Sequence, residues 1–228
     1  MKNLILLHGA MGSKEQFEGL ERLINQEYDL HILNFSGHGM AEFYFPEFSV
    51  QAFAEQVISY MDSKGIEKSN FFGYSLGGYV ALYIARYYQD RVESVMTLAT
   101  KFDWNPSIAE KEIKMLDPLL LEEKFPDFTK ALVERHGEKK WKLLLEKTGQ
   151  LMTALGDEPV LTENDFPGIE IPVRIGLGDK DKMVSIEESQ NVFKRLKAGS
   201  FYVLPDTKHP LESVNKERLA FEIRNFVK

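Results

Sequence analysis

The stretch Asn70-Phe71-Phe72-Gly73-Tyr74-Ser75-Leu76-Gly77-Gly78-Tyr79-Val80-Ala81 joins an apolar strand end, a glycine-bounded turn and a helix start within a few positions. Its centre, Gly73-Tyr74-Ser75-Leu76-Gly77, is a G-x-S-x-G elbow, a turn that holds its serine in a strained backbone conformation. A side chain two places before or after the serine would collide with the strand or the helix, so glycine is required there. The turn lifts the Ser75 hydroxyl clear of a sheet and sets it at a helix N-terminus, where free N–H groups favour developing negative charge. Such a serine is placed to attack.

The chain of 228 residues, 43% of them hydrophobic, suffices for one substantial core. It contains no cysteine, which excludes a disulfide framework and thiolate chemistry and suits a reducing compartment. The opening MKNLILLHGA carries an apolar run too short for a signal peptide or membrane span, so a soluble cytoplasmic protein is expected. A net charge of −7 without a basic block gives no support for a nucleic-acid or anionic-membrane partner.

Outward from the elbow, apolar runs and helical periodicities alternate. Lys2 to Leu7, Tyr28 to Phe35, the run into Tyr74, Arg91 to Ala99, Ile171 to Leu177 and Ser200 to Leu204 read as strands. Between them, Ser13-Lys14-Glu15-Gln16 reads as a capping box for a helix with Phe17, Leu20, Leu23 and Ile24 on one side. An aromatic loop, Phe43 to Phe48, leads to a helix capped by Ser49 and closed by Gly65, with Phe53, Val57, Ile58 and Met61 on one side. Ser185-Ile186-Glu187-Glu188 is a second capping box, and a last amphipathic helix runs from about Asn215 to Val227. The pattern implies an α/β fold: a doubly wound, mainly parallel six-stranded sheet with right-handed crossovers and its site at the carboxyl ends of the strands. From Lys101 to about Phe166 no strand is credible, and prolines and glycines punctuate helical stretches.

Downstream of Ser75, Asp181 lies in Gly178-Asp179-Lys180-Asp181-Lys182-Met183-Val184 and His209 in Lys208-His209-Pro210 after the last strand. The order serine, acid, histidine resembles that of the α/β-hydrolase superfamily over nearly the whole chain. His8-Gly9-Ala10-Met11-Gly12 resembles the family's HGxxG loop and Gly37-His38-Gly39 its GHG turn, although Asn34-Phe35-Ser36 stands where members often have aspartate and proline. The resemblance implies a catalytic triad of nucleophile Ser75, general base His209 and orienting acid Asp181, with Asp179 and Asp103 as alternative acids. It implies an oxyanion hole formed by the backbone N–H groups of Ala10 and Leu76. It divides the chain into a core, 1–100 and 166–228, and a helical cap, 101–165. His8 and His38 are expected to support their loops, and His31 and His136 to be partly exposed and inert.

The apolar stock of the cap region, including Phe102, Trp104, Leu144, Leu151 and Met152, favours core packing first and a small or medium apolar substrate second. The reaction class implied is hydrolysis of a carboxylic ester or thioester through an acyl-enzyme. No cofactor is implied, and no two histidines fall at metal-ligand spacing. Two alternatives stand beside it. One is a lyase or carbon–carbon-bond enzyme like the menaquinone-pathway lyase of this fold, which needs a cluster of cap arginines where this chain has Arg135. The other is a receptor-like member that captures a ligand.

Overall fold

In the computed structural model, which describes residues 1–43 and 48–227, the apolar runs become one sheet. Strands β1 (Lys2–Leu7), β2 (Tyr28–Leu33), β3 (Ser69–Tyr74), β4 (Val92–Leu98), β5 (Val173–Gly178) and β6 (Gly199–Leu204) are parallel and lie in the order β2-β1-β3-β4-β5-β6. Among the described residues no antiparallel strand joins either edge. Of the aromatic loop, residues 44–47 lie outside the described residues.

The strands read as unbroken apolar runs because alternate residues enter two different cores. Leu4, Leu6, Phe72, Tyr74, Met96 and Leu98 face one layer, closed by α1 (Glu18–Ile24) and α9 (Lys216–Phe226). Ile5, Leu7, Phe71, Val95, Val173 and Ile175 face the other, closed by α2 (Val50–Ser63), α3 (Leu76–Tyr87) and α8 (Ile186–Phe193).

Of the four helix starts read above at Ser13, Ser49, Ser185 and Asn215, three follow the capping chemistry and one departs from it. Ser49 accepts the Ala52 N–H at 3.1 Å, Asn215 accepts that of Arg218 at 2.9 Å, and Ser185 with Glu188 forms the full reciprocal capping box. Ser13 caps nothing. The Gln16 N–H is already held by the Ser13 carbonyl and the Lys14 N–H by Asn34 Oδ1, so the chain enters α1 through a short 3-10 turn, Lys14–Phe17. Phe17, Leu20 and Ile24 are buried, whereas Leu23 faces solvent.

Between β4 and β5 the chain forms α4 (Pro106–Ile113), α5 (Pro118–Lys124), α6 (Pro126–His136) and α7 (Trp141–Asp157). Prolines begin the first three of these helices, in the first turn where a missing N–H costs nothing. Leu116, Leu121, Leu132, Trp141 and Leu145 give the insertion a small core of its own, while Leu151 and Leu155 of α7 join the main core. Among the described residues no helix is long and apolar enough to cross a membrane.

The strand order decides where a site can form. Because β1 lies beside β3, with Leu7 opposite Gly73, the loop after β1 and the elbow after β3 emerge side by side at the carboxyl edge.

Candidate active site

Ser75 stands between β3 and α3 with φ 52° and ψ −118°, a conformation that favours glycine and that a serine adopts under strain. The neighbouring backbone holds it there. Its N–H donates to the Leu98 carbonyl at 2.9 Å, and its carbonyl accepts the Gly78 N–H at 3.0 Å and the Thr100 hydroxyl at 3.1 Å. The flanking glycines are steric requirements. A Cβ on Gly77 would press into the Leu7 carbonyl, and one on Gly73 into the backbone of Gly77 and Gly78.

Asp181 and His209 meet although they follow different strands. His209 Nδ1 donates to Asp181 Oδ2 at 2.8 Å, and Asp181 Oδ1 accepts the N–H groups of Met183 at 2.8 Å and Val184 at 3.0 Å. The Asp181 side chain is wholly buried. Burial alone would raise its carboxyl pKa, but the His209 hydrogen bond and charge, with the two backbone donors, outweigh burial and hold it below the usual range. Tyr74, the residue before the serine, donates its hydroxyl to the His209 carbonyl at 2.9 Å. Its ring lies so close to Gly9 that a Cβ there would approach Tyr74 Cε1 to 2.7 Å.

Ser75 and His209 line one cavity with Ala10 and Leu76. Leu76 is the first residue of α3, where an N–H has no intrahelical acceptor. Tyr79, Lys101, Trp104, Glu112, Thr148, Leu151, Met152, Leu155, Met183 and Val184 complete the wall. The cavity measures about 50 Å³, several times the roughly 10–15 Å³ that holds a water.

The alternative acids lie apart from the cavity. Asp179 is exposed and its Oδ1 accepts the Thr207 N–H at 3.0 Å. Asp103 is exposed, and neither residue lines the cavity. Glu188, the capping-box acid of α8, also accepts the Phe102 N–H at 2.9 Å and so ties the loop after β4 to α8.

Three buried histidines stand behind the loops. His8 donates Nδ1–H to the Gly9 carbonyl at 2.8 Å and accepts the Phe35 N–H on Nε2 at 3.1 Å. Burial lowers its pKa to about 4, so it is neutral near neutral pH. His38 donates Nδ1–H to Ser36 O at 3.0 Å and stacks on Phe48; burial takes its pKa well below the ordinary value. The expectation that His136 is partly exposed and inert is overturned. It is buried at the end of α6, where Nδ1 accepts the Gly39 N–H at 2.9 Å and Nε2–H donates to the Met11 carbonyl at 2.9 Å. Burial brings its pKa down to about 4. Beside it, Arg135 donates to the same Met11 carbonyl at 3.0 Å and pairs with Glu212 at 3.3 Å. The insertion therefore grips both the His8-Gly9 loop and the Gly37-His38-Gly39 turn. A sequence signal existed only for the place, since Gly137, with φ +87°, ends α6 directly after His136. His31 is partly buried, 3.1 Å from the Tyr60 hydroxyl, away from the cavity. Among the described residues no cluster of histidine, aspartate and glutamate is arranged to hold a metal ion.

Known proteins agree with this architecture. A pimeloyl-[acyl-carrier protein] methyl ester esterase of Neisseria meningitidis serogroup C / serotype 2a is 31% identical over 100 residues, 44% of this chain and 37% of that protein. A probable alcohol acetyltransferase of Cyberlindnera fabianii is 35% identical over 81 residues, 35% of this chain and 22% of that protein. The chain thus spans well under half the length of either of these curated relatives. The solved structure of 2-hydroxy-6-oxo-6-phenylhexa-2,4-dienoate hydrolase from Rhodococcus sp. strain RHA1 superposes with a TM-score of 0.82, covering 100% of this chain and 91% of that one at 19% identity. The family model for the alpha/beta hydrolase fold matches residues 2–164, which include the elbow, and on that match the chain belongs to the alpha/beta hydrolase family.

Proposed function

We propose that the chain is a serine hydrolase that cleaves small or medium, fairly apolar carboxylic esters or thioesters through an acyl-enzyme. The observation that carries this reading is the 2.8 Å Asp181–His209 hydrogen bond, with His209 on the wall of the cavity that also holds the strained Ser75. Ser75 Oγ bonds to the scissile carbonyl carbon while its proton passes to His209, which returns it to the departing alcohol or thiol. A water molecule then repeats the sequence, losing its proton to His209 and releasing the acid and free Ser75. Asp181 holds the imidazole with Nδ1 protonated and stabilises its positive charge. The N–H groups of Ala10 and Leu76 receive the oxyanion, each worth roughly 3 kcal/mol in the transition state.

In this reading residues 1–100 and 166–228 form the catalytic core and 101–165 a cap. Glu112, Thr148, Leu151, Met152 and Leu155 support that division, since they line the cavity opposite Ser75's own elements. The small cavity favours a compact acyl group, and the protein is read as a cytoplasmic enzyme for small molecules. The names of the esterase relatives agree in reaction class. A lyase for a polyanionic substrate is disfavoured because Arg135 is engaged with Met11 and Glu212 and does not line the cavity.

The test is hydrolysis of p-nitrophenyl esters of increasing acyl length by the wild type, Ser75→Ala and His209→Ala, with fluorophosphonate labelling of the same samples. The reading expects a chain-length optimum, loss of turnover in both variants and loss of labelling in Ser75→Ala. A folded wild type that neither labels nor turns over any ester overturns it.

A further inference from the structure

The wall of the cavity is mostly apolar but carries polar side chains that the proposed hydrolysis does not use. Thr148, in the middle of α7, is 1% exposed, and its Oγ1 has no hydrogen-bond partner among the described residues. A threonine inside a helix commonly turns its hydroxyl onto the carbonyl four residues back, and Thr148 makes no such bond. Trp104, in the loop after β4, likewise has a buried Nε1–H without a partner there. Both residues line the cavity. A buried polar group left unsatisfied costs free energy, and a wall of leucine, methionine and valine would pack as well around valine and phenylalanine at these two places.

The cavity also holds a charge pair. Lys101 Nζ lies 3.8 Å from Glu112 Oε1 and donates to the Met183 carbonyl at 2.8 Å. Glu112 is buried and Lys101 beside it offsets its charge, so the pair leaves the cavity without a net charge for a guest to balance. The four side chains together offer donor-only groups on Trp104 and Lys101, a donor and acceptor on Thr148, and an acceptor on Glu112. A neutral hydroxyl, which both gives and accepts a hydrogen bond, matches that set; an alkyl chain leaves it unmatched, and a carboxylate, which only accepts, leaves the Glu112 acceptor unmatched and brings an uncompensated charge into the cavity.

We propose that the preferred substrate is an ester whose short acyl group carries a neutral hydroxyl, bound by Thr148 and Trp104. This rests on the ester-hydrolase reading of Ser75 and names the substrate class within it. Sites that hydrogen-bond a substrate hydroxyl discriminate far more strongly against its absence than apolar pockets do against its presence.

The experiment compares ethyl butyrate, ethyl 2-hydroxybutyrate, ethyl 3-hydroxybutyrate and monoethyl succinate by kcat/KM in the wild type, Thr148→Val and Trp104→Phe. Calorimetric binding of the same esters to Ser75→Ala runs beside it. At least one hydroxy ester is expected to exceed ethyl butyrate by about tenfold or more in both readouts, and monoethyl succinate to fall below both. Thr148→Val is expected to bring hydroxy and plain esters to near parity in both readouts. Parity in the wild type, a preference for the carboxylate, or a hydroxyl preference that survives both substitutions overturns the proposal. If no ester is turned over and fluorophosphonate leaves Ser75 unlabelled, the hydrolase reading fails. The binding arm still decides the pocket, because equal or absent binding of the hydroxy and plain esters to Ser75→Ala overturns it independently.

Discussion

Ser75 and Thr148 line the same cavity, yet they are fixed by different means. Ser75 sits at the carboxyl end of an interior strand of a six-stranded sheet, in a strained turn whose neighbours leave no room for a Cβ at Gly73 or Gly77. Thr148 rides α7, whose first half packs on a small cluster of its own and whose second half rests on the main core. The proposed nucleophile is therefore placed by backbone constraint and the wall opposite it in the proposal by side-chain packing. Backbone constraint tolerates almost no change, whereas packing tolerates volume-conserving exchange. The two walls should respond to substitution in opposite ways.

The largest effect is expected at the sheet edge. Asp181→Asn keeps the shape but offers an amide where Nδ1–H needs a carboxylate, so kcat should fall by about 10⁴-fold with the fold intact. Steady-state kinetics beside circular dichroism checks this. A fall of less than tenfold would remove Asp181 from the site and with it the contrast between the two walls. Gly77→Ala should be next, since the new methyl group meets the Leu7 carbonyl, which belongs to a central strand and cannot yield. A loss of about 4 kcal/mol or more in urea unfolding, with activity lost, is expected.

Acid should loosen the contact between the walls. The His8 pKa is about 4 in the folded protein against about 6.5 in an unfolded chain, so between those values the unfolded chain binds more protons. Stability should then fall as pH drops from 6.5 towards 4, by roughly 3 kcal/mol from His8 alone, and this contribution should level off below pH 4. The lowered pKa of Asp181 works in the same direction, since its contribution is present above the ordinary carboxylate range and is lost as pH falls through its folded value. Urea midpoints across pH 4 to 7 measure the contribution of the buried histidines, ahead of the Asp181 loss at lower pH, and a midpoint that stays flat over that window would show that His8 is not held neutral by burial.

The same division explains what could be read in advance. Strands such as Lys2–Leu7 announce themselves because both faces are buried, and the elbow because its glycines are dictated by local backbone geometry. Asp181 and His209 are legible only through the resemblance to the α/β-hydrolase order of serine, acid and histidine, and the loops after β5 and β6 that carry them open at the same sheet edge. None of that applies to His136 or Thr148. Each lies on an amphipathic helix where its face is set by how the helices dock, a long-range outcome with no local pattern. Ser13 shows the limit at short range too: its motif is that of a cap, but Asn34, 20 positions after Lys14, takes the Lys14 N–H and the turn tightens instead.

His136 joins the two walls, and removing it should have an intermediate effect. His136→Ala leaves the Gly39 N–H and the Met11 carbonyl without this partner, with Arg135 still on Met11. A cost of about 2 kcal/mol in unfolding is expected, since each buried group loses a bond worth roughly 1 kcal/mol or more. Because Met11 follows Ala10, whose N–H is proposed to receive the oxyanion, kcat should drop by about tenfold while KM moves little. An unchanged kcat in a destabilised variant would reduce His136 to a structural strut.

The smallest effect tests the permissive wall directly and should carry the opposite sign. Gly149 lies within α7 one residue after Thr148, and a Cβ there would meet only Ile113 Cγ2, at the ordinary contact distance of 3.8 Å. Glycine inside a helix is less stable than alanine by roughly 0.5–1 kcal/mol because its unfolded backbone has more freedom to lose. Gly149→Ala should thus raise stability by about that amount, with kcat/KM for simple esters unchanged, while the same exchange at Gly77 destroys the fold. If Gly149→Ala destabilised the protein, α7 would be as tightly constrained as the elbow, and Ser75 and Thr148 would be held by the same kind of constraint.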